Sequence, residues 1–183
     1  MARIDPIHEQ SLTPPLQVAF ERHLLRYEGC ISDMKSVLGY SVPAFEAYMH
    51  WYPLYEELEK LLGKRMAYLY AYSISSACDC TLCSTFFRKL IVESGESPEA
   101  LQLSATERKT LDFGVSIVRC RGNIADHVYN SLAQHYAKKE MVVLIAFAGQ
   151  MVATSIFHNT VETDMEANLK SYVPPVKSIW HQV

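Results

Sequence analysis

From Met141 to Phe157 the chain reads MVVLIAFAGQMVATSIF, 17 residues without a charge. The run falls just short of the ~18–20 apolar residues that cross a bilayer, and Gln150, Thr154 and Ser155 interrupt it. A helix this apolar has to be enclosed, either in a core or between subunits. It therefore predicts a long helix around which other helices gather, and no membrane span.

The remaining segments read as those partners. Alternating apolar and polar residues are scarce and no Asn-Gly or Asp-Gly hairpin signal occurs. A helix opens at Pro14 and Pro15. Ser32 is placed to cap a short helix, and Pro53 to kink or divide the helix that ends at Gly63. Ser97 followed by Pro98 predicts another helix start, and Ser104 three residues before Glu107 predicts a capping box. Ile124, Val128, Leu132 and Tyr136 recur every fourth residue, on one helical face. No linker or low-complexity tract divides the 183 residues, so the expectation is one all-α domain over 1–183.

The formal charge of −3 and the lack of a basic stripe argue against a nucleic-acid partner. The opening residues MARIDPIHEQ are charged and lack the apolar core of a signal peptide, which points to the cytoplasm. In that reducing compartment, clustered cysteines serve catalysis or metal binding more often than structural disulfides.

Three of the five cysteines, Cys78, Cys80 and Cys83, fall within ACDCTLC. A structural zinc site wants four ligands, and there is one CxxC, with His127 the nearest downstream histidine. No metal and no cofactor is expected on that count. Cys80 and Cys83, at i and i+3, share one face of a helix and can meet as a dithiol if they open it. A helix N-terminus favours the thiolate. Packing as three small buried hydrophobes is the alternative, and Cys30 and Cys120 read that way.

The surroundings are more specific. The stretch LGKRMAYLYAYSISSACDC, the CxxC opening the next helix, the turn with Gly95, Ser97 and Glu99, and the later pair of helices resemble the carboxymuconolactone decarboxylase and alkylhydroperoxidase D superfamily. The resemblance implies an alkylhydroperoxidase D-like helical bundle, with a core about 55–170 and N-terminal helices 13–54 packed on it. It implies a thiol-dependent antioxidant activity, a peroxidase or disulfide oxidoreductase. Its substrate would be a peroxide or disulfide, its reductant a dithiol, and its assembly a trimer-based homo-oligomer. In the superfamily the second cysteine, here Cys83, attacks the oxidant and the first, Cys80, resolves it.

The superfamily's motif is a Glu, eleven residues, CxxC, three residues and a His. Here Tyr68 stands at the Glu position and Phe87 at the His position. The proton relay is therefore absent, which leaves a second reading: a non-catalytic oligomeric or binding protein that kept the fold. Tyr68, Tyr72 and His158 are the candidates for relay or support. Asp79, beside Cys80, is expected to cap the helix.

Overall fold

The computed structural model describes residues 2–27 and 30–174. Among these residues the chain forms helices and no strand: α1 (Pro14–Arg26), α2 (Asp33–Leu38), α3 (Val42–Met49), α4 (Trp51–Leu62), α5 (Lys64–Ala77), α6 (Thr81–Glu93), α7 (Ala105–Arg119), α8 (Asp126–Ala133) and α9 (Lys138–Val161). Short 3-10 turns occur at Glu9–Ser11 and Ala167–Tyr172.

Side-chain caps set several of the breaks. Ser32 accepts from the Lys35 N–H at the start of α2. Ser104 and Glu107 exchange hydrogen bonds at 3.2 and 2.7 Å, which closes the capping box of α7. Pro53 does not mark the division: α3 and α4 part at His50, and Pro53 sits in the first turn of α4, where a missing N–H costs nothing. The segment after Gly95 also differs from expectation. It forms a turn, closed by the Ala100 N–H on the Ser97 carbonyl at 3.0 Å. Glu99 is held there by Arg88 of α6 and by the Ser97 hydroxyl, so its side chain serves the turn and no helix starts.

α5 is the central strut. From Met66 to Ser76 nearly every residue is buried, and it packs on α4, α6, α7 and α9. Tyr70 is fully buried and donates its hydroxyl to the Leu144 carbonyl at 3.1 Å, tying α5 to α9. α7 approaches so closely that a Cβ at Gly114 would stand 2.6 Å from Tyr70 Cε2, which is why glycine is needed there. Arg65 reaches Glu96 at 2.8 Å and Glu107 at 2.6 Å, fixing the start of α5 to the turn that follows α6.

α9 is 24 residues long and apolar enough to cross a bilayer. Its inner face, with Met141, Leu144, Phe147, Met151 and Ser155, packs into the bundle. The expectation of complete enclosure holds for that face alone within one chain: Val142, Ile145 and Ile156, on the outer face, are 64%, 41% and 60% exposed. The N-terminal layer builds a second apolar cluster from Leu16, Phe20, Leu38 and Phe45, with Phe157 of α9 packed against it. Tyr48 also donates to the Ala153 carbonyl at 3.3 Å, joining that layer to the end of α9 that faces the cysteines.

Candidate active site

The turn between α5 and α6 holds all three clustered cysteines. Cys78 closes α5, with its N–H on the Ile74 carbonyl at 3.0 Å. Asp79 then takes a left-handed conformation, φ 53°, which an aspartate tolerates better than most side chains. This reversal returns the chain to α5, and the Cys80 N–H donates to the Ser75 carbonyl at 3.1 Å. Cys80 is the N-cap of α6: its sulfur accepts from the Cys83 N–H at 3.4 Å. The cap expected of Asp79 is thus supplied by Cys80, because the left-handed turn places Asp79 one residue outside the helix. A sulfur in the place usually held by a Ser or Asp oxygen meets the free N–H groups of the first turn.

These contacts divide the pair electrostatically. The Cys83 thiol, the Cys83 N–H that donates to the Cys80 sulfur and the nearby Leu82 N–H hold its pKa below the usual thiol value against burial. Cys83 is pushed well above that value, first by its bond to Cys80 and then by burial. The first proton to leave the pair is therefore that of Cys80. Cys78, which is half-buried, is pushed up to about 11, chiefly by burial.

One group from α9 completes the site. The Ser155 hydroxyl is fully buried and has no aligned hydrogen-bond partner, yet it neighbours all three thiols and favours the ionised form of each. One turn on, the Asn159 amide donates to the Cys78 carbonyl at 3.2 Å. Sequence reasoning missed Ser155. The only signal was its place in an otherwise apolar run, where a hydroxyl needs a reason.

The remaining candidates lie further out. Tyr68 is half-buried, takes the Lys64 ammonium over its ring at 5.8 Å and neighbours Tyr55. The Tyr72 hydroxyl faces Arg88 and Ser76. His158 is buried with its Nδ1 unpartnered, and burial alone lowers it to about 4, so it is neutral at pH 7. Among the described residues no hydrogen bond joins these three to a cysteine. Phe87 is 3% exposed and belongs with Cys80 and Cys83 to the main apolar cluster. Its ring lies 6.4 Å from that of Trp51, which stacks on Tyr55 at 4.7 Å and nears Phe147 at 5.9 Å. Phe87, at the position of the relay histidine, therefore offers an apolar ring and no proton. No group of three side chains able to hold a metal converges among the described residues.

Cys80 and Cys83 are only 1% and 5% exposed. Two surface cavities, of about 290 and 610 Å3, are lined by the N-terminal layer and include no cysteine.

No family model and no curated protein matches the chain. Solved structures do. A peroxidase-related protein from Silicibacter sp. TM1040 superposes with a TM-score of 0.74 at 16% identity, over 92% of this chain and 93% of that one. A protein from Ralstonia eutropha JMP134 described as an alkylhydroperoxidase AhpD core gives 0.69 at 11% identity, over 92% and 94%. The chain has the alkylhydroperoxidase D-like fold. A cysteine-to-alanine variant of the debrominase Bmp8, in complex with 2,3,4-tribromopyrrole, shares this alkylhydroperoxidase D-like architecture, with a TM-score of 0.75 at 13% identity over 92% and 94%.

Proposed function

We propose that the protein is a thiol oxidoreductase in which Cys80 and Cys83 deliver two electrons to a peroxide or disulfide. The observation that carries this reading is the Cys80 sulfur at the N-cap of α6, stabilised as a thiolate by two backbone N–H groups and its partner thiol. With a peroxide, the Cys80 thiolate attacks one oxygen and the O–O bond breaks. The second oxygen leaves as hydroxide or alkoxide and takes a proton. Cys83 then attacks the Cys80 sulfenic acid, the S–O bond breaks, water leaves and a disulfide remains. A dithiol reductant restores the pair. The resemblance assigns the attack to Cys83; the hydrogen bonds favour Cys80 for it.

Treating the reduced protein with one equivalent of hydrogen peroxide tests the assignment. Two thiols should be lost and peptide mass mapping should find a Cys80–Cys83 bridge. In Cys83→Ser, a sulfenic acid trapped on Cys80 supports Cys80 as the attacking thiol. A pair that stays reduced, while alanine at both positions leaves assembly intact, would favour the non-catalytic reading.

Trp51, Tyr55 and Phe87 belong to the same apolar cluster as the two thiols, and the structurally similar debrominase was crystallised with a brominated pyrrole, which favours an aryl halide as a second substrate class. Reductive removal of bromide would consume the same dithiol: the aryl bromide and two thiols give the arene, hydrogen bromide and a disulfide. Bromide release from tribromopyrrole, measured beside peroxide consumption, separates the two substrates. The wider reading is of a trimer-based homo-oligomer in the reducing cytoplasm. The exposed outer face of α9 supports the assembly.

A further inference from the structure

We infer that Cys78 is the thiol through which an external dithiol reductant reaches the buried disulfide. This rests on the function proposed above and adds to it the route by which electrons return.

Access to the pair is restricted. Cys80 and Cys83 are buried, whereas Cys78, two residues away, is partly exposed. A reductant's thiolate must approach along the line of the bond it breaks, and a disulfide enclosed on all sides offers no such line. The backbone has been bent to bring Cys78 to the pair. Asp79, between Cys78 and Cys80, holds the left-handed φ of 53°, a strained conformation for a non-glycine residue that persists where the surroundings enforce it. Here they do. The Cys80 N–H is fixed on Ser75, and the Cys78 carbonyl is fixed by Asn159 of α9. As a result the Cys78 thiol lies beside the pair, near enough for its charge and those of Cys80 and Cys83 to act on one another.

The exchange balances without further reagents. In the oxidised protein Cys80 carries no charge to hold the Cys78 proton on; the Cys78 thiol gives that proton to solvent and its sulfur attacks the Cys83 sulfur. The Cys78–Cys83 bond forms, the Cys80–Cys83 bond breaks, and the electron pair leaves on Cys80. Cys80 is the better leaving group because the N–H groups of Leu82 and Cys83 receive its charge. The reductant's first thiolate then attacks the accessible Cys78 sulfur and releases Cys83, which takes up a proton. Its second thiol closes on the first, so the reductant leaves as a disulfide and Cys78 is a thiol again. In the reduced site the Cys78 thiol, held up at about 11 by burial, stays protonated and does not compete with Cys80 for the oxidant.

The test separates the two half-reactions. Wild type, Cys78→Ser and Cys78→Ala are each oxidised with one equivalent of hydrogen peroxide. They are then re-reduced with thioredoxin, as a protein dithiol, and with dithiothreitol, as a small one. Both variants should form the Cys80–Cys83 disulfide at the wild-type rate. Re-reduction by thioredoxin should slow at least tenfold, and by dithiothreitol less. In Cys80→Ser, mild oxidation should yield a Cys78–Cys83 bridge by peptide mapping. Variants that oxidise normally and are re-reduced by thioredoxin at the wild-type rate would overturn the inference and leave the proposed function standing. A wild type that forms no Cys80–Cys83 disulfide would remove both.

Discussion

Replacing Ser155 by alanine removes a buried side-chain hydroxyl that acts on all three sulfurs. Donation to a charged acceptor is worth ~1.5–3 kcal/mol, and 1.36 kcal/mol is one pKa unit. Those values would raise the Cys80 pKa by ~1–2 units if Ser155 acted alone. It does not: the Cys83 thiol and the N–H groups of Cys83 and Leu82 share the charge. We therefore expect the low end, a rise of about one unit. Below the midpoint that leaves ~10-fold less thiolate, but a more basic thiolate is intrinsically more reactive, with a Brønsted coefficient of ~0.4–0.5, so the net loss of rate is ~3-fold. The assay is iodoacetamide alkylation of Cys80 across pH, read by peptide mass and fitted for midpoint and limiting rate. The midpoint should rise while the limiting rate at high pH also rises. Stability supplies the control. The Ser155 hydroxyl has no aligned partner, so its removal should leave the Tm unchanged or slightly higher. An unchanged midpoint in a folded variant would refute the role assigned to Ser155, and a large drop in Tm would show that the hydroxyl serves packing.

Restoring the missing relay with Tyr68→Glu and Phe87→His together should raise peroxide turnover at least tenfold; a folded double variant no faster than wild type would show that the relay is not what limits this site. The same change should lower stability by ~2–4 kcal/mol, since Phe87 is 3% exposed and packed among apolar groups. His158 is lowered from 6.5 to about 4 by burial. An unfolded chain protonates that ring first as pH falls, so its contribution is complete above pH 6.5 and is lost towards pH 4, by up to ~3 kcal/mol. His23, buried among the rings of Tyr27, Phe45 and Tyr52, shifts the same way, and urea midpoints that stay flat over this range would contradict both. Light scattering should give a mass well above the 20.8 kDa of one chain, and Ile145→Lys with Ile156→Lys on the outer face of α9 should reduce it; a monomeric wild type would end that proposal.

Much of the fold was legible because its signals are local. The caps at Ser32 and Ser104 are written as a hydroxyl three residues before the N–H it accepts from, and the dithiol as two cysteines at helical spacing. What escaped notice depends on contacts distant in sequence. Ser155 looks like an interruption in an apolar run until α9 is laid against the α5–α6 turn. The turn after Gly95 reads as a helix start until Arg88 is seen to claim Glu99. Asp79 has the chemistry of a cap, but its backbone angle, which composition does not reveal, gives that post to Cys80. The exposed outer face of α9 was hidden for the opposite reason, since hydropathy cannot say whether an apolar surface is met by its own chain or by another.

The position of α9 in the order of synthesis has a consequence for the thiols. A chain emerging from the ribosome presents the α5–α6 turn well before α9, which carries Ser155 and Asn159, has left the tunnel. During that interval the three cysteines have neither their cover nor the hydroxyl that tunes them. They are then ordinary thiols, open to indiscriminate pairing with each other or with bystanders. The docking of α9 against α5 thus does two jobs in one event: it completes the hydrophobic bundle and covers the three thiols. Any lesion that delays this docking should show first as scrambled disulfides in newly made protein, before measurable loss of helix.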